Sequence, residues 1–180
     1  MILLLSTCAE KLHELEFVKP VAKILLRNKI NFFVKHYSKI SDADLKKADK
    51  VIICGTSLKD FGYTENLDKF EWINSFEKPV LGICAGAQII ALVYKQKLWS
   101  CTEIGETKAI FRKEFFGLVN KQKIYSLHQM AISLDRREFM SFTKSKKGSQ
   151  AFKKINKPFY GVLFHPEVWN HEVIERFARD

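Results

Sequence analysis

The chain has 180 residues, 47% of them hydrophobic and 28% charged, with a formal net charge of +10. That is the size of one domain with a core of its own, and it is too apolar for a disordered chain. No run of about 20 apolar residues occurs, which excludes a membrane-spanning helix.

The chain opens on an apolar run, residues 1–6, that lacks a basic leader and soon meets Glu10, Lys11 and His13. It reads as a buried strand and not as a signal peptide, which places the protein in the cytoplasm. Phe17, Val18, Val21, Ile24 and Leu25 recur at helical spacing over residues 17–27. Residues 30–34 form a strand rich in branched and aromatic side chains. Ser41-Asp42-Ala43-Asp44 is a helix start, with a capping oxygen and acid in the first turn. Residues 51–54 are a third strand. Leu67, Phe70, Trp72, Ile73 and Phe76 outline an amphipathic helix. Residues 79–83 are a fourth strand, and residues 86–94 are helical again.

Apolar strands alternating with helices predict an α/β fold, a mostly parallel sheet covered on both faces with right-handed crossovers. After Trp99 the texture changes to short strand-like runs at 109–112, 123–127, 139–142, 150–153 and 159–164, then a helix at 171–178. These are expected to be small antiparallel additions plus one strand that returns to the main sheet. No repeat or linker divides the chain, so residues 1–180 are expected to form a single domain.

Four cysteines are present, Cys8, Cys54, Cys84 and Cys101, with no C-x-x-C pair. A metal site is therefore not expected, and in a reducing compartment neither is a disulfide framework. Each cysteine is either a small buried residue or a reactive thiol. Lysines are scattered at 46–47, 121 and 123, 144, 146 and 147, and 153–154, with no aromatic-interleaved nucleic-acid motif. They read as a solvated basic surface or one that meets an acidic partner. His13, His36 and His171 have no ligand-like spacing. Cys54 is expected to pack at a strand end, and Phe61, Tyr63, Phe70, Trp72 and Phe76 to be core. Phe111, Phe115 and Phe116 are candidates for an exposed partner surface.

The stretch Gly82-Ile83-Cys84-Ala85-Gly86-Ala87-Gln88 sets a cysteine between two glycines, after a strand and before a helix. This is the cysteine form of the G-x-S-x-G nucleophile elbow. The turn is sharp, and side chains at the flanking positions would collide with the neighbouring strand and helix. A thiol there sits at a helix N-terminus, which favours thiolate, and the Ala85 N–H is placed to stabilise an oxyanion. Far along the chain, residues 159–164 run into His165-Pro166-Glu167. Two residues apart in extended chain, His165 and Glu167 project from one side, and Pro166 restrains the pair. Glu167 can then hold the imidazole in one tautomer while the other ring nitrogen faces Cys84, as in a nucleophile–base–orienter triad.

Together these motifs resemble class I glutamine amidotransferases, whose pattern is G-[IVL]-C-x-G-x-Q and a strand ending in H-P-E. The resemblance covers nearly the whole chain and is nearest to the glutaminase subunit of two-subunit GMP synthases. Ile104-Gly105-Glu106-Thr107 and Ser126-Leu127-His128-Gln129 are similar to further segments of that group. It implies a flavodoxin-like fold and hydrolysis of L-glutamine to glutamate and ammonia by Cys84, His165 and Glu167. It also implies that Gln88 and the backbone at Gly55 help hold the substrate, with His128 and Gln129 close by. Ammonia would pass to an ATP-dependent synthetase. ATP and magnesium are expected only on that partner, because this chain lacks a P-loop-like phosphate cradle. Where the family carries Gly-Gly-Pro after the third strand, this chain has Gly55-Thr56-Ser57, and His128-Gln129-Met130 lacks an aspartate of the GMP synthase group. The alternatives are a stand-alone γ-glutamyl hydrolase and a non-catalytic, partner-binding member of the group.

Overall fold

The structure, a computed structural model, describes residues 1–143 and 147–180. Two of the basic residues noted above, Lys144 and Lys146, lie outside the described residues. The chain runs β1 (Ile2–Ser6), α1 (Glu14–Phe17), α2 (Lys19–Arg27), β2 (Phe32–His36), α3 (Asp42–Lys47), β3 (Lys50–Ile53), α4 (Gly62–Glu65) and α5 (Trp72–Ser75). It continues through β4 (Val80–Ile83), α6 (Ala85–Val93), β5 (Lys97–Phe115), β6 (Leu118–Ser133), β7 (Phe139–Ser141), β8 (Ala151–Lys154), β9 (Phe159–Val162) and α7 (His171–Arg179).

Seven strands form the main sheet in the order β2-β1-β3-β4-β9-β8-β7. The first five are parallel, and β8 and β7 add antiparallel at the edge. Because side chains alternate along a strand, the apolar runs feed two cores. Ile2, Leu4, Ile52, Leu81 and Ile83 pack with Val21 and Leu25 of α2 and Val173, Ile174 and Phe177 of α7. Leu3, Leu5, Val51, Ile53 and Val80 pack with Phe70, Ile73 and the Ile89–Ile90 pair of α6. Each fully buried Leu or Ile contributes about 1.5–3 kcal/mol relative to exposure. α3 begins with the expected cap, Ser41 and Asp44 closing a capping box.

Four expectations change, one of them at Phe61, expected in the core but 39% exposed at the start of α4. The helix drawn through Leu67 and Phe76 is a 3-10 turn at Leu67–Phe70 followed by the short α5. Phe70 and Ile73, three apart, are both fully buried, and a spacing of three suits either helix type. The runs at 109–112 and 123–127 are the middles of two long strands, β5 and β6, which pair with each other as a separate antiparallel ribbon. Their outward residues are mostly polar, broken by Trp99, Ile104, Ile110 and Val119, which hides the length of the strands. The aromatic cluster is not exposed either. Phe111 and Phe115 are 3% and 2% exposed, because the ribbon's tip folds onto the main sheet and sets them edge-to-face against Phe164 and Phe142. Phe116 is half-buried against Tyr160 and Phe177. Phe111 and Phe115 therefore contribute no exposed apolar surface.

The parallel register brings the carboxyl ends of β3, β4 and β9 side by side, with Ile53 opposite Gly82 and Ile83 opposite Val162. Residues just past those ends, Gly55, Cys84 and His165, therefore share one edge of the sheet, where open α/β sheets place their ligands. β6 crosses that edge: Ser126 bridges Phe164, and the His165 N–H donates to the Tyr125 carbonyl at 2.8 Å.

Candidate active site

Cys84 sits between β4 and α6 with φ 48° and ψ −101°, a strained backbone for a residue bearing a Cβ. Its N–H donates to the Val162 carbonyl at 2.8 Å, which locks the turn to β9. The flanking glycines are there for space. A Cβ on Gly82 would lie 2.4 Å from the Gly86 carbonyl carbon, and one on Gly86 would lie 2.2 Å from the Ile53 oxygen. Both obstacles are backbone and cannot swing aside. The tight turn aims the Cys84 side chain at the cleft, where its thiol lies 3.4 Å from the Leu127 carbonyl. Ala85 opens α6, so its N–H has no intrahelical acceptor, and the residue lines the same cleft.

His165 is 2% exposed and Glu167 6% exposed. His165 Nδ1 and Glu167 Oε1 are 2.7 Å apart, which fixes a proton on Nδ1. Nε2 is buried and makes no conventional hydrogen bond among the described residues. The imidazole and Cys84 flank Gly55 together: a Cβ built there would lie 2.8 Å from His165 Cε1 and 3.5 Å from Cys84 Cβ. Any side chain at residue 55 would push the ring off its seat. Burial works against charge on His165, but the Glu167 carboxylate and contact with the Cys84 sulfur outweigh it and hold the imidazole well above its usual pKa. Phe17 closes over the ring at 5.6 Å between centroids.

The remaining predicted residues divide. Gln88 lines the cleft, but its amide is already engaged: Nε2 donates to the Met130 carbonyl at 2.9 Å and Oε1 accepts from the Tyr63 hydroxyl. It braces the wall through those two bonds, which leave one N–H and one lone pair of the amide unused. His128 is buried in the opposite wall and donates from Nδ1 to the Cys101 carbonyl at 3.2 Å. Burial pulls its pKa down, and the nearby Glu103 only partly offsets this. Gln129 is exposed at the rim. Cys54, by contrast, is fully buried, its thiol pushed well up by burial, as suits packing.

Thr56, Asp60 and Tyr63 also line the cleft, and the sequence did not single them out for it. Tyr63 has helical spacing from core neighbours and carries no motif. Asp60 lies in a loop without periodicity, so only its hydrogen bonds reveal it. The cleft is narrow, about 20 Å³, room for about one water molecule. Among the described residues no cluster of three or more ligating side chains could hold a metal ion.

A family model described as "Glutamine amidotransferase class-I" matches residues 14–178. The chain belongs to the class I glutamine amidotransferases. Among members of that family, it is 34% identical to one subunit of the glutamine-hydrolyzing GMP synthase of Methanothermobacter thermautotrophicus over 119 residues, 59% of this chain and 63% of the relative. The match thus spans a little under two thirds of that relative's length. The corresponding GMP synthase subunit of Pyrococcus abyssi is 31% identical over 139 residues, 69% of this chain and 71% of the relative. A crystal structure of a candidate GMP synthase subunit from Thermoplasma acidophilum superposes with TM-score 0.86 at 21% identity, covering 99% of this chain and 92% of that one. A glutamine amidotransferase from Thermotoga maritima gives TM-score 0.72 at 20% identity, over 99% and 81%. At such identities the solved structures speak to the fold, which they share with this class I amidotransferase.

Proposed function

We propose that the chain hydrolyses L-glutamine to glutamate and ammonia and delivers the ammonia to an ATP-dependent synthetase subunit. The reading is carried by one observation: a buried imidazole, held through Nδ1 by Glu167, keeps Nε2 without a conventional hydrogen bond beside a thiol on a strained elbow. The Cys84 thiolate attacks the side-chain amide carbon, and the oxyanion forms against the N–H groups of Ala85 and the Gly55 loop. The imidazolium protonates the departing nitrogen, releasing ammonia and leaving a γ-glutamyl thioester. His165 then takes a proton from water, the hydroxide attacks the thioester, and glutamate leaves with the thiolate restored. The names of the relatives support amination of a purine nucleotide as the partner's task. ATP and magnesium belong on that partner.

The cleft is narrow, about 20 Å³, so widening it would ease the entry of a glutamine side chain. This supports an isolated chain of low activity that a partner raises. A second reading, a stand-alone γ-glutamyl hydrolase, is favoured by Thr56 standing where the family has glycine. Ammonia release, assayed with and without the synthetase subunit of the same organism, separates them. Stimulation of at least about tenfold is expected from a positioned partner. Equal release of glutamate from γ-glutamyl amides with no partner effect would favour the hydrolase, and no release in either assay would end both.

A further inference from the structure

The loop after β3 departs from its family's glycine-rich pattern, yet it forms the wall of the cleft nearest Cys84 and His165. Without the conformational freedom of a second glycine or the rigidity of proline, something else must fix its backbone. Asp60 is the loop's anchor: it is 7% exposed, and one oxygen, Oδ2, receives three groups from three parts of the chain. The Thr56 hydroxyl donates at 2.6 Å, the Ala9 N–H at 3.0 Å, and the His13 ring nitrogen Nδ1 lies at 2.8 Å. Thr56 itself is 4% exposed. A second tie acts at the loop's start, where the Thr7 hydroxyl donates to the Cys54 carbonyl at 3.1 Å. Neither the Gly55 nor the Thr56 N–H donates to an acceptor among the described residues.

We propose that Asp60 is a positioning residue that clamps the Thr56 hydroxyl and so holds the Gly55–Thr56 backbone against the Cys84–His165 pair. The clamp rests on the reading of Cys84 as nucleophile, and it replaces by side-chain bonding what the family's Gly-Gly-Pro segment supplies by backbone chemistry. Burial raises the Asp60 pKa, but the bonds from Thr56, His13 and Ala9 prevail and hold it below the usual carboxylate range, as charge-assisted bonds require. Because the same oxygen meets Ala9 and His13, the clamp also ties the oxyanion wall to the segment leading into α1.

The test uses the full chain with Asp60→Asn, Thr56→Val and Thr56→Ser. D60N and T56V should lower kcat about tenfold with KM changed less than about threefold, since a loosened oxyanion wall costs the transition state more than the bound substrate. T56S keeps the hydroxyl and should recover most of that loss. The double variant D60N/T56V should lose less than the two single losses combined, because both changes break the Thr56–Asp60 contact, while D60N also loosens the ties to Ala9 and His13. Hydrogen exchange at the Gly55 and Thr56 amides should speed up in D60N and T56V but not in T56S. Unchanged kcat and unchanged exchange in D60N, or additive losses in the double variant, would overturn the clamp. If the wild type hydrolyses no glutamine, the proposed function fails while amide exchange still decides whether Asp60 holds the loop.

Discussion

At Cys84 the backbone carries a positive φ, and such strain persists only where neighbours over-determine it. Here the Val162 carbonyl and the closely packed Gly82 and Gly86 do so. These residues were legible in the sequence because sterics force a spacing: glycine two before and two after the cysteine of a tight strand-to-helix turn leaves a mark that survives in one chain. His165 and Glu167 were legible for a similar reason, since alternate residues of extended chain share a side. Asp60 and Tyr63 were not, and Thr56 only through its place in the altered Gly55-Thr56-Ser57 segment, because their roles depend on tertiary hydrogen bonds and no local geometry dictates their spacing. The Glu167–His165 bond also sets a pH dependence. Glu167 raises the imidazole's pKa, so the protonated ring survives to a pH above the ordinary histidine value and is lost as pH rises through the raised one. Glu167→Gln removes the carboxylate. The alkaline limb of the kcat/KM profile should then move to lower pH, with kcat down on the order of 10²-fold or more. An unmoved limb would show that Glu167 does not tune the ring.

The elements that position the site are β4, α6 and β9, and their contact is closer than side chains allow. Gly86 touches the Ile53 backbone, so Gly86→Ala must push α6 away from β3. Overpacking of this kind costs about 1–3 kcal/mol, and more where backbone must move. Urea denaturation of G86A should show a midpoint lowered accordingly, while an Ala at Gly62, where a Cβ meets nothing nearer than 3.6 Å, should stay within about 0.5 kcal/mol. The parallel strands were readable as elements because burial on both faces makes them apolar throughout. The β5–β6 ribbon was not, because its outer face alternates with lysine, glutamate and arginine and its strands look like fragments. The aromatic tip is opaque for the same reason: a run of phenylalanines beside charges says nothing of which surface folds over it.

On the scale of the whole molecule, the two cores share their strands. Leu3 and Leu5 face one side of β1, and Ile2 and Leu4 the other. Neither core can dissolve without the sheet. Unfolding followed by far-ultraviolet and by near-ultraviolet circular dichroism should therefore coincide in one transition, and two separated transitions would show that the layers melt independently. The charge of +10 spreads over this sheet without a nucleic-acid motif, and it bears on association more than on fold. All of this architecture serves to bring one sulfur to one imidazole across residues far apart in the chain. The most direct test is peptide-level mass spectrometry after reaction with a glutamine-mimicking electrophile. A single adduct on Cys84, absent in Cys84→Ala and slowed strongly in His165→Ala, is the predicted result. An adduct on Cys8, Cys54 or Cys101 instead, or equal labelling of wild type and C84A, would contradict the assignment of the nucleophile.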